Sequence, residues 1–497
     1  MSELASRAYL SHPPSNLVGG AFRPAPGEAI VTRDPAAPDR VVWSGASDGA
    51  HLDDAVEAAR AAFPAWSALP PDARRAALER WRDACARHAG RIAAAISREV
   101  GKIAWEAELE AKLVADKVTI TLEERVLARV AGFEVAAGPG KTGVCAFRPH
   151  GVMAVLGPYN FPAHLPNGHF VPALLLGNTV VFKPSDKAAA VGQLLAELAV
   201  EAGFPAGVFN VVQGDGALAA RLAAHDGIDG ILFTGSFPVG RSILAANLDR
   251  PGRLIALEMG GSNPAVVTAS ADLRRAAIEC VRASFATTGQ RCTCTRRIIV
   301  DEAVADRFIP EVLRIASTLV IAAPDDRLPA FMGPLVTAGA RDAVLAAQAD
   351  AARHGRLLLE ASPLDRPGHF LAPGAVEVER FIREPNEREV FGPFVQFARA
   401  RDLDDAIAQA NATEFGLAAS IFTADESEWR AFASRCRAGC INWNTGTAGA
   451  SSRLPFGGLG RSGNHRPAGA FAVDACAYPV ATMIESGDPA IPQGMRV

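Results

Sequence analysis

The spacing of hydrophobic positions changes along the chain. Over residues 53–79 and again over 88–124, Ala, Leu and Val recur at helical intervals among Arg and Glu, which predicts long amphipathic helices. From residue 152 the pattern switches to short apolar runs at 152–156, 179–182, 209–212 and 230–233, separated by helical stretches at 188–202 and 217–224. Strands alternating with helices predict βαβ units on a parallel sheet. A second α/β series runs from about 254 to 441, with strands expected at 265–267 and 297–300. The last apolar run, 473–484, has no partner beside it. An edge of that kind is often completed by another subunit, and the stretch 130–148 offers a matching hairpin.

Composition narrows the class. A chain of 497 residues exceeds one compact core, so two or three domains are expected. Hydrophobic residues at 49 % and charged residues at 21 % describe an ordinary globular protein. A net charge of -4 gives no reason to expect a nucleic-acid or membrane-surface partner. The first residues lack the basic start and apolar core of a signal peptide, and runs such as 170–176 fall well short of the ~20 residues that cross a bilayer. A cytoplasmic protein is expected. The eight cysteines, at 85, 145, 280, 292, 294, 436, 440 and 476, then read as free thiols, and without paired CxxC knuckles no metal site is expected.

Five stretches carry candidate chemistry. Gly157-Pro158-Tyr159-Asn160-Phe161-Pro162 follows a strand, where α/β folds place ligands, and the Asn160 amide can donate to a developing oxyanion. Lys183-Pro184-Ser185-Asp186 ends another strand; the lysine suits ribose or phosphate, and the Asp186 carboxylate disfavours a 2′-phosphate, tilting the choice toward NAD over NADP. In Phe233-Thr234-Gly235-Ser236-Phe237-Pro238-Val239-Gly240 a glycine turn opens a helix whose first N–H groups can meet a pyrophosphate. Glu258, before Gly260 and Gly261, has little bulk around it to stop it swinging, and suits a general base. Cys292, after Gly289-Gln290-Arg291, is a candidate nucleophile whose thiolate Arg291 or nearby helix amides would favour. Taken singly, each has a plainer reading: a turn asparagine, a solvated strand end, a structural turn, a packed thiol.

Together and in this order, these stretches resemble the aldehyde dehydrogenase superfamily, and Glu389-Val390-Phe391-Gly392-Pro393 and Pro455-Phe456-Gly457-Gly458 extend the likeness over about residues 25–485. The resemblance implies an α/β aldehyde dehydrogenase fold. It has a Rossmann-like NAD-binding domain (1–126 and 149–254), an α/β catalytic domain (255–442), and a small β oligomerisation flap (127–148 and 470–497) serving a homodimer or homotetramer. It also implies a mechanism. Cys292 forms a thiohemiacetal with a small-molecule aldehyde, Asn160 and the Cys292 N–H hold the oxyanion, and Glu258 activates water to hydrolyse the thioester. Lys183, Ser185 and Asp186 (where the family usually has Glu), with Gly235, Ser236 and Gly240, would hold the NAD adenosine and pyrophosphate. Glu389 and Phe391 would hold its nicotinamide end, and Cys294 packs.

Three further stretches resemble the branch that oxidises succinylglutamate semialdehyde. They are Gly157-Pro-Tyr-Asn-Phe-Pro-Ala-His-Leu-Pro-Asn-Gly-His169, Gly289-Gln-Arg-Cys-Thr-Cys-Thr-Arg-Arg297 and Gly463-Asn-His-Arg-Pro467. A substrate with two carboxylates and an amide calls for cations and hydrogen-bond donors, and His164, Asn167, Arg453 and His465 are the expected ones. The branch usually has Lys where this chain has Thr445, and Arg453 is the candidate to replace that charge. An aldehyde dehydrogenase of other specificity, for succinate semialdehyde or an aliphatic aldehyde, is the nearest alternative. Acyl-CoA-forming relatives lack a base at Glu258, and non-catalytic relatives tend to lose nucleophile or base; this chain has both.

Overall fold

A computed structural model describes residues 9–326, 328–384, 387–486 and 491–497. The first half opens with β1 (Ser15–Val18), β2 (Ala21–Pro24), β3 (Ile30–Asp34) and β4 (Ala37–Gly45). Four helices follow: α1 (Gly49–Ser67), α2 (Pro71–Arg87), α3 (Ala89–Val100) and α4 (Ala104–Thr121). The two long helices expected from periodicity are thus four. Pro71 lacks the N–H to continue a helix and instead starts one, and Gly101 ends α3 in the left-handed conformation at φ 73°. One helical turn, α5 (Glu124–Leu127), leads into the hairpin β5 (Phe133–Gly138) and β6 (Lys141–Pro149).

The βαβ series then runs β7 (Val152–Leu156), α6 (His164–Leu175), β8 (Thr179–Lys183), α7 (Ala189–Glu201), β9 (Phe209–Val211), α8 (Gly216–Ala224), β10 (Gly230–Thr234), α9 (Phe237–Ala245) and β11 (Leu254–Glu258). These strands form a sheet in the order β11-β10-β7-β8-β9-β1-β2, parallel through β7–β11, with β1 and β2 added antiparallel. The sequence boundary at 254/255 therefore falls within a strand: β11 pairs along its length with β10, and the first sheet extends to Glu258.

The second half builds its own sheet from β12 (Asn263–Val267), α10 (Leu273–Phe285), β13 (Thr295–Asp301), α11 (Glu302–Ser317), α12 (Ala338–Ala352), β14 (Gly355–Leu359), β15 (Gly374–Val378), β16 (Phe394–Ala400), α13 (Leu403–Ala410), β17 (Ala418–Phe422), α14 (Glu426–Arg435) and β18 (Cys440–Trp443). The order is β14-β15-β16-β13-β12-β17-β18, with β14 alone antiparallel. A short pair, β19 (Pro455–Phe456) and β20 (Ala468–Gly469), precedes β21 (Ala477–Glu485). β21 begins four residues later than expected and finds its partner in the same chain, since β6 pairs with it from end to end. The outer edges β5 and β21 of this three-stranded flap expose Phe133, Val135, Met483 and Ile484. Residues 1–8 and 487–490 of the expected N-terminal and flap segments lie outside the described residues. No helix among the described residues is long and apolar enough to cross a membrane.

Helix α6 packs between helices α2 and α4 and one face of the first sheet, with α1 on the opposite face; its aromatic core has Trp81 meeting Phe170 edge-on at 5.6 Å and Phe170 meeting Phe209 at 4.9 Å. This corrects one substrate expectation. Asn167 is fully buried, its Oδ1 accepting from Trp81 Nε1 (2.8 Å) and its Nδ2 donating to the Val114 carbonyl (2.9 Å), so its amide is spent joining α6 to α2 and α4. Asn167→Ala leaves a buried donor and acceptor unpaired and is expected to destabilise the protein by about 2–4 kcal/mol. Thermal unfolding checks this; catalytic turnover per folded molecule should change less than about twofold, as for a group away from the chemistry.

Candidate active site

Parallel strands deliver their carboxyl ends to one edge of a sheet, and ligands in such folds bind there. At that edge Asn160 follows β7, Lys183 ends β8, Thr234 ends β10 and Glu258 ends β11. The second sheet begins where the first stops: β12 starts at Asn263, five residues after Glu258, and β13 at Thr295, three after Cys292. Cys292 thus sits between the sheets. Asn263 Nδ2 donates to the carbonyls of both Cys292 (2.7 Å) and Cys294 (2.8 Å), and Asn160 Nδ2 donates to the Gln290 carbonyl (2.9 Å), with its second N–H unbonded among the described residues.

The glycines after Glu258 do something other than give it freedom. A side chain on Gly260 would collide with the Glu389 carboxylate, and one on Gly261 would stand 2.9 Å from the Cys292 carbonyl. They admit the Glu389 loop and the nucleophile loop to the same space, and Gly261 N–H donates to Glu389 Oε1 (3.3 Å). Gly457 plays the same part for Glu258, whose buried Oε1 has no partner among the described residues and lies 2.5 Å from where a Gly457 Cβ would be. Phe391 lies edge-on to Tyr159 at 6.0 Å, and the Arg296 guanidinium is 5.8 Å from the Phe391 ring and 4.0 Å from Glu389.

Burial governs the charges. It holds the Glu258 carboxyl well above the usual range, with Arg466 pulling weakly the other way, and raises Glu389 to about 7. The Cys292 thiol is also pushed up, by burial and then by Glu389 and Glu258. The expectation that Arg291 favours the thiolate fails. Its Nε donates to Thr287 Oγ1 (2.7 Å) and its NH2 to Glu106 Oε1 (2.9 Å), so its charge is spent beside the nucleophile's turn. Cys292 is a protonated thiol in this state and needs a base.

Glu106 belongs to a pair the sequence reading missed. On α4, Glu106 Oε1 accepts from Thr287 N–H (2.9 Å), Thr287 Oγ1 (2.7 Å) and Arg291, fixing a turn in which Thr287 and Thr288 both adopt left-handed φ near 55°. One turn on, Glu110 Oε1 accepts from the N–H groups of Ala163 (3.0 Å) and His164 (3.1 Å), and its Oε2 pairs with buried Lys102 at 2.6 Å. The visible signal was an i, i+4 acidic pair on a helix too apolar to spare that face for solvent.

Of the helices that open near this edge, three have their first N–H groups satisfied internally. Glu110 serves α6, Glu99 accepts from Ala190 and Val191 at the start of α7 (2.8 and 2.9 Å), and Asp215 caps α8. The start of α9 has no side-chain cap, and Gly240 lets this helix pack on Met259, where a Cβ would collide. That open end beside Gly235 and Ser236 fits an anionic pyrophosphate. Lys183, buried and lowered to about 8 by that burial, lies near Asp186 and Asp215; Asp186 accepts from Ser185 Oγ (3.3 Å) and Lys187 Nζ (3.2 Å). Two acidic groups fit ribose hydroxyls better than a 2′-phosphate.

The remaining substrate candidates are scattered. His164 sits on α6 with Nδ1 unpartnered, near Lys117 and Lys102. Arg453 is exposed and paired with Glu123 (3.1 Å), and His465 is exposed with a left-handed φ of 54°. The neighbouring Asn464 is structural: its side chain accepts from Leu257 N–H (2.8 Å) and donates to the Ile255 carbonyl (2.9 Å), closing the edge of β11. At Thr445, Glu279 accepts from the hydroxyl (3.2 Å) and from Gly446 N–H (2.9 Å), so a carboxylate occupies the place of the expected lysine's surroundings.

Known proteins resemble this chain over nearly its whole length. A family model described as "Aldehyde dehydrogenase family" matches residues 22–480. N-succinylglutamate 5-semialdehyde dehydrogenase 2 of Caulobacter vibrioides is 45 % identical over 469 residues, 94 % of this chain and 95 % of that one. The Ectopseudomonas mendocina N-succinylglutamate 5-semialdehyde dehydrogenase is 41 % identical over 475 residues, 94 % and 96 % of the two chains. Among solved structures, 1-pyrroline-5-carboxylate dehydrogenase from Thermus with bound NAD superposes with a TM-score of 0.89 at 28 % identity, covering 96 % of this chain and 93 % of that one. Glu106→Ala removes the acceptor of three donors in the Cys292 turn. It is expected to lower turnover per folded molecule at least tenfold, a loss of about 1.4 kcal/mol in barrier terms, with Glu106→Gln losing less. Steady-state kinetics beside melting curves check this.

Proposed function

Because this chain belongs to the aldehyde dehydrogenase family, we propose that it oxidises N-succinylglutamate 5-semialdehyde to N-succinylglutamate in arginine catabolism, with NAD as the preferred acceptor. The convergence of Cys292, Asn160 and Glu258 at the junction of the two sheets carries the chemistry, and the names of the relatives at 41 % and 45 % identity support the substrate.

The dinucleotide, when bound, supplies the hydride acceptor. Gly235, Ser236, Gly240 and the open α9 end would hold its pyrophosphate, Lys183, Ser185 and Asp186 its adenosine ribose, and Glu389 and Phe391 its nicotinamide end. Cys292 attacks the aldehyde carbon after its proton has left to Glu258, whose raised basicity suits it to that task. The free N–H of Asn160 and the Cys292 N–H hold the oxyanion of the thiohemiacetal. With the substrate carbon oxidised to a thioester on Cys292 and the thiol's proton passed from Glu258 to solvent, Glu258 takes a proton from water, and the resulting attack releases the carboxylate and returns Cys292. The retained base at Glu258 supports hydrolysis over transfer to another thiol. The same reading makes the protein a cytoplasmic homo-oligomer joined through the exposed apolar edges of the flap.

Thr445 beside Glu279 favours the second reading, an aldehyde dehydrogenase of other specificity. Comparing kcat/KM for succinylglutamate semialdehyde and propanal separates the two; a preference for propanal overturns the substrate assignment. Cys292→Ala should abolish NADH formation while NAD still binds. Glu258→Gln should stall at the thioester, seen as a covalent adduct by mass spectrometry. Because the Glu258 pKa is raised, its basic form prevails only well above the ordinary carboxylate range. Deacylation should therefore rise with pH across that region in the wild type, and the limb should vanish in Glu258→Gln.

A further inference from the structure

The cations expected to meet an anionic substrate are engaged elsewhere or missing: Arg453 pairs with Glu123, and Thr445 stands beside Glu279 in place of a lysine. One cation lies directly beside the nucleophile. Arg291 precedes Cys292, and its guanidinium carbon is 5.3 Å from the centre of the Phe161 ring, the residue after Asn160. Because Asn160 Nδ2 bonds the Gln290 carbonyl (2.9 Å), the two loops run side by side here, residues 160–161 against 290–291.

Four charges meet under these loops: Lys102, Glu106, Glu110 and Arg291. Three are sealed, their side chains 2 % exposed or less, while that of Arg291 is 19 % exposed. Arg291 is therefore the one charge of the group that a solute can reach, and Cys292 and Phe161 on either side of it are half-buried too. The pairing with Glu106 turns its charge from the thiol without exhausting its donors. A guanidinium carries five N–H groups. Nε uses one on Thr287 Oγ1 (2.7 Å) and Nη2 uses one on Glu106 Oε1 (2.9 Å); the other three have no acceptor among the described residues. Those two bonds also hold the planar head in one orientation, so no long side chain has to be immobilised when an anion arrives.

We propose that Arg291 is a specificity-determining residue of this site: its unbonded Nη groups bind a carboxylate that the substrate carries three carbons from its aldehyde, and so select acidic semialdehydes over neutral aldehydes. In succinylglutamate semialdehyde this is the α-carboxylate. The proposal rests on the aldehyde dehydrogenase reading above, but not on the succinyl group. Two parallel N–H bonds to a carboxylate are the contact a guanidinium makes best. A chain held by its carboxylate one residue from Cys292 has little freedom left at its aldehyde end, which shortens the search for the thiol.

Glutarate semialdehyde has a carboxylate at that separation and no other substituent, and pentanal is its neutral counterpart. Wild-type enzyme with NAD should favour the anion in kcat/KM by about tenfold or more. In Arg291→Gln that ratio should fall at least about tenfold, the loss expected for a hydrogen bond between charged groups. The ratio cancels whatever both aldehydes lose through a disturbed turn. Arg291→Lys, which keeps the charge without the fork, should restore part of it. An unchanged ratio in Arg291→Gln marks a merely structural arginine and overturns the proposal. So does a wild type with no preference for glutarate semialdehyde, a result that stands even if Arg291→Gln fails to fold. Calorimetric titration of nucleotide-free protein with glutarate reads the same contact apart from turnover: Kd should rise about tenfold or more in Arg291→Gln, and an equal Kd overturns the proposal. Wild type that oxidises glutarate semialdehyde through Arg291 but ignores succinylglutamate semialdehyde would sink the substrate named above and leave this inference standing. A preference for the succinylated substrate that survives intact in Arg291→Gln does the reverse.

Discussion

One face of α4 holds the reactive loops in place. Glu106 takes three donors from the turn before Cys292, and Glu110 takes two from the segment after Asn160, while Lys102 balances the second carboxylate. Cys292 and Asn160, the proposed nucleophile and oxyanion donor, come from different sheets, 132 positions apart in the chain, each in a loop that α4 bonds. A single rigid helix that bonds both sets their separation. Buried carboxylates suit this role because a charge removed from water must collect hydrogen bonds, and the bonds available are those of the two loops.

Burial then does chemical work at the junction. Cys292, Glu258 and Glu389 are all driven toward their protonated forms by the same exclusion of water, and Cys292 also by the two carboxylates. A site in that state keeps its thiol from casual oxidation or alkylation, since the thiolate is the reactive form. Arg291 pairs with Glu106, and that engagement withholds its charge from the thiol.

Much of this was legible in the sequence because the motifs that carry chemistry are short and local. A glutamate before two glycines, a glycine turn after an apolar run and a lysine ending a strand each announce a strand edge, and the strands fell where alternation placed them. What escaped depended on distant partners. Asn167 reads as a polar residue in a binding segment, and only the placement of Trp81, 86 positions away, shows that its amide is consumed in packing. Asn464 and His465 are adjacent in sequence, yet one stitches β11 and the other faces solvent. The helix breaks at Pro71 and Gly101 were visible in principle, since both residues interrupt backbone bonding, but the surrounding periodicity masked them. The glycines after Glu258 were read as a source of freedom when they relieve crowding, a distinction that needs the third party, Glu389, to be in place.

That crowding has an evolutionary corollary. Residues 260 and 389 compete for one small volume, with the carboxylate of one filling the space that a methyl on the other would need. Neither can drift alone: an alanine at 260 is admissible only after 389 has shortened, and a shortened 389 gives up the Gly261 contact. In a family tree the two positions should therefore change on the same branches, a coupling carried by excluded volume across more than a hundred residues of intervening chain.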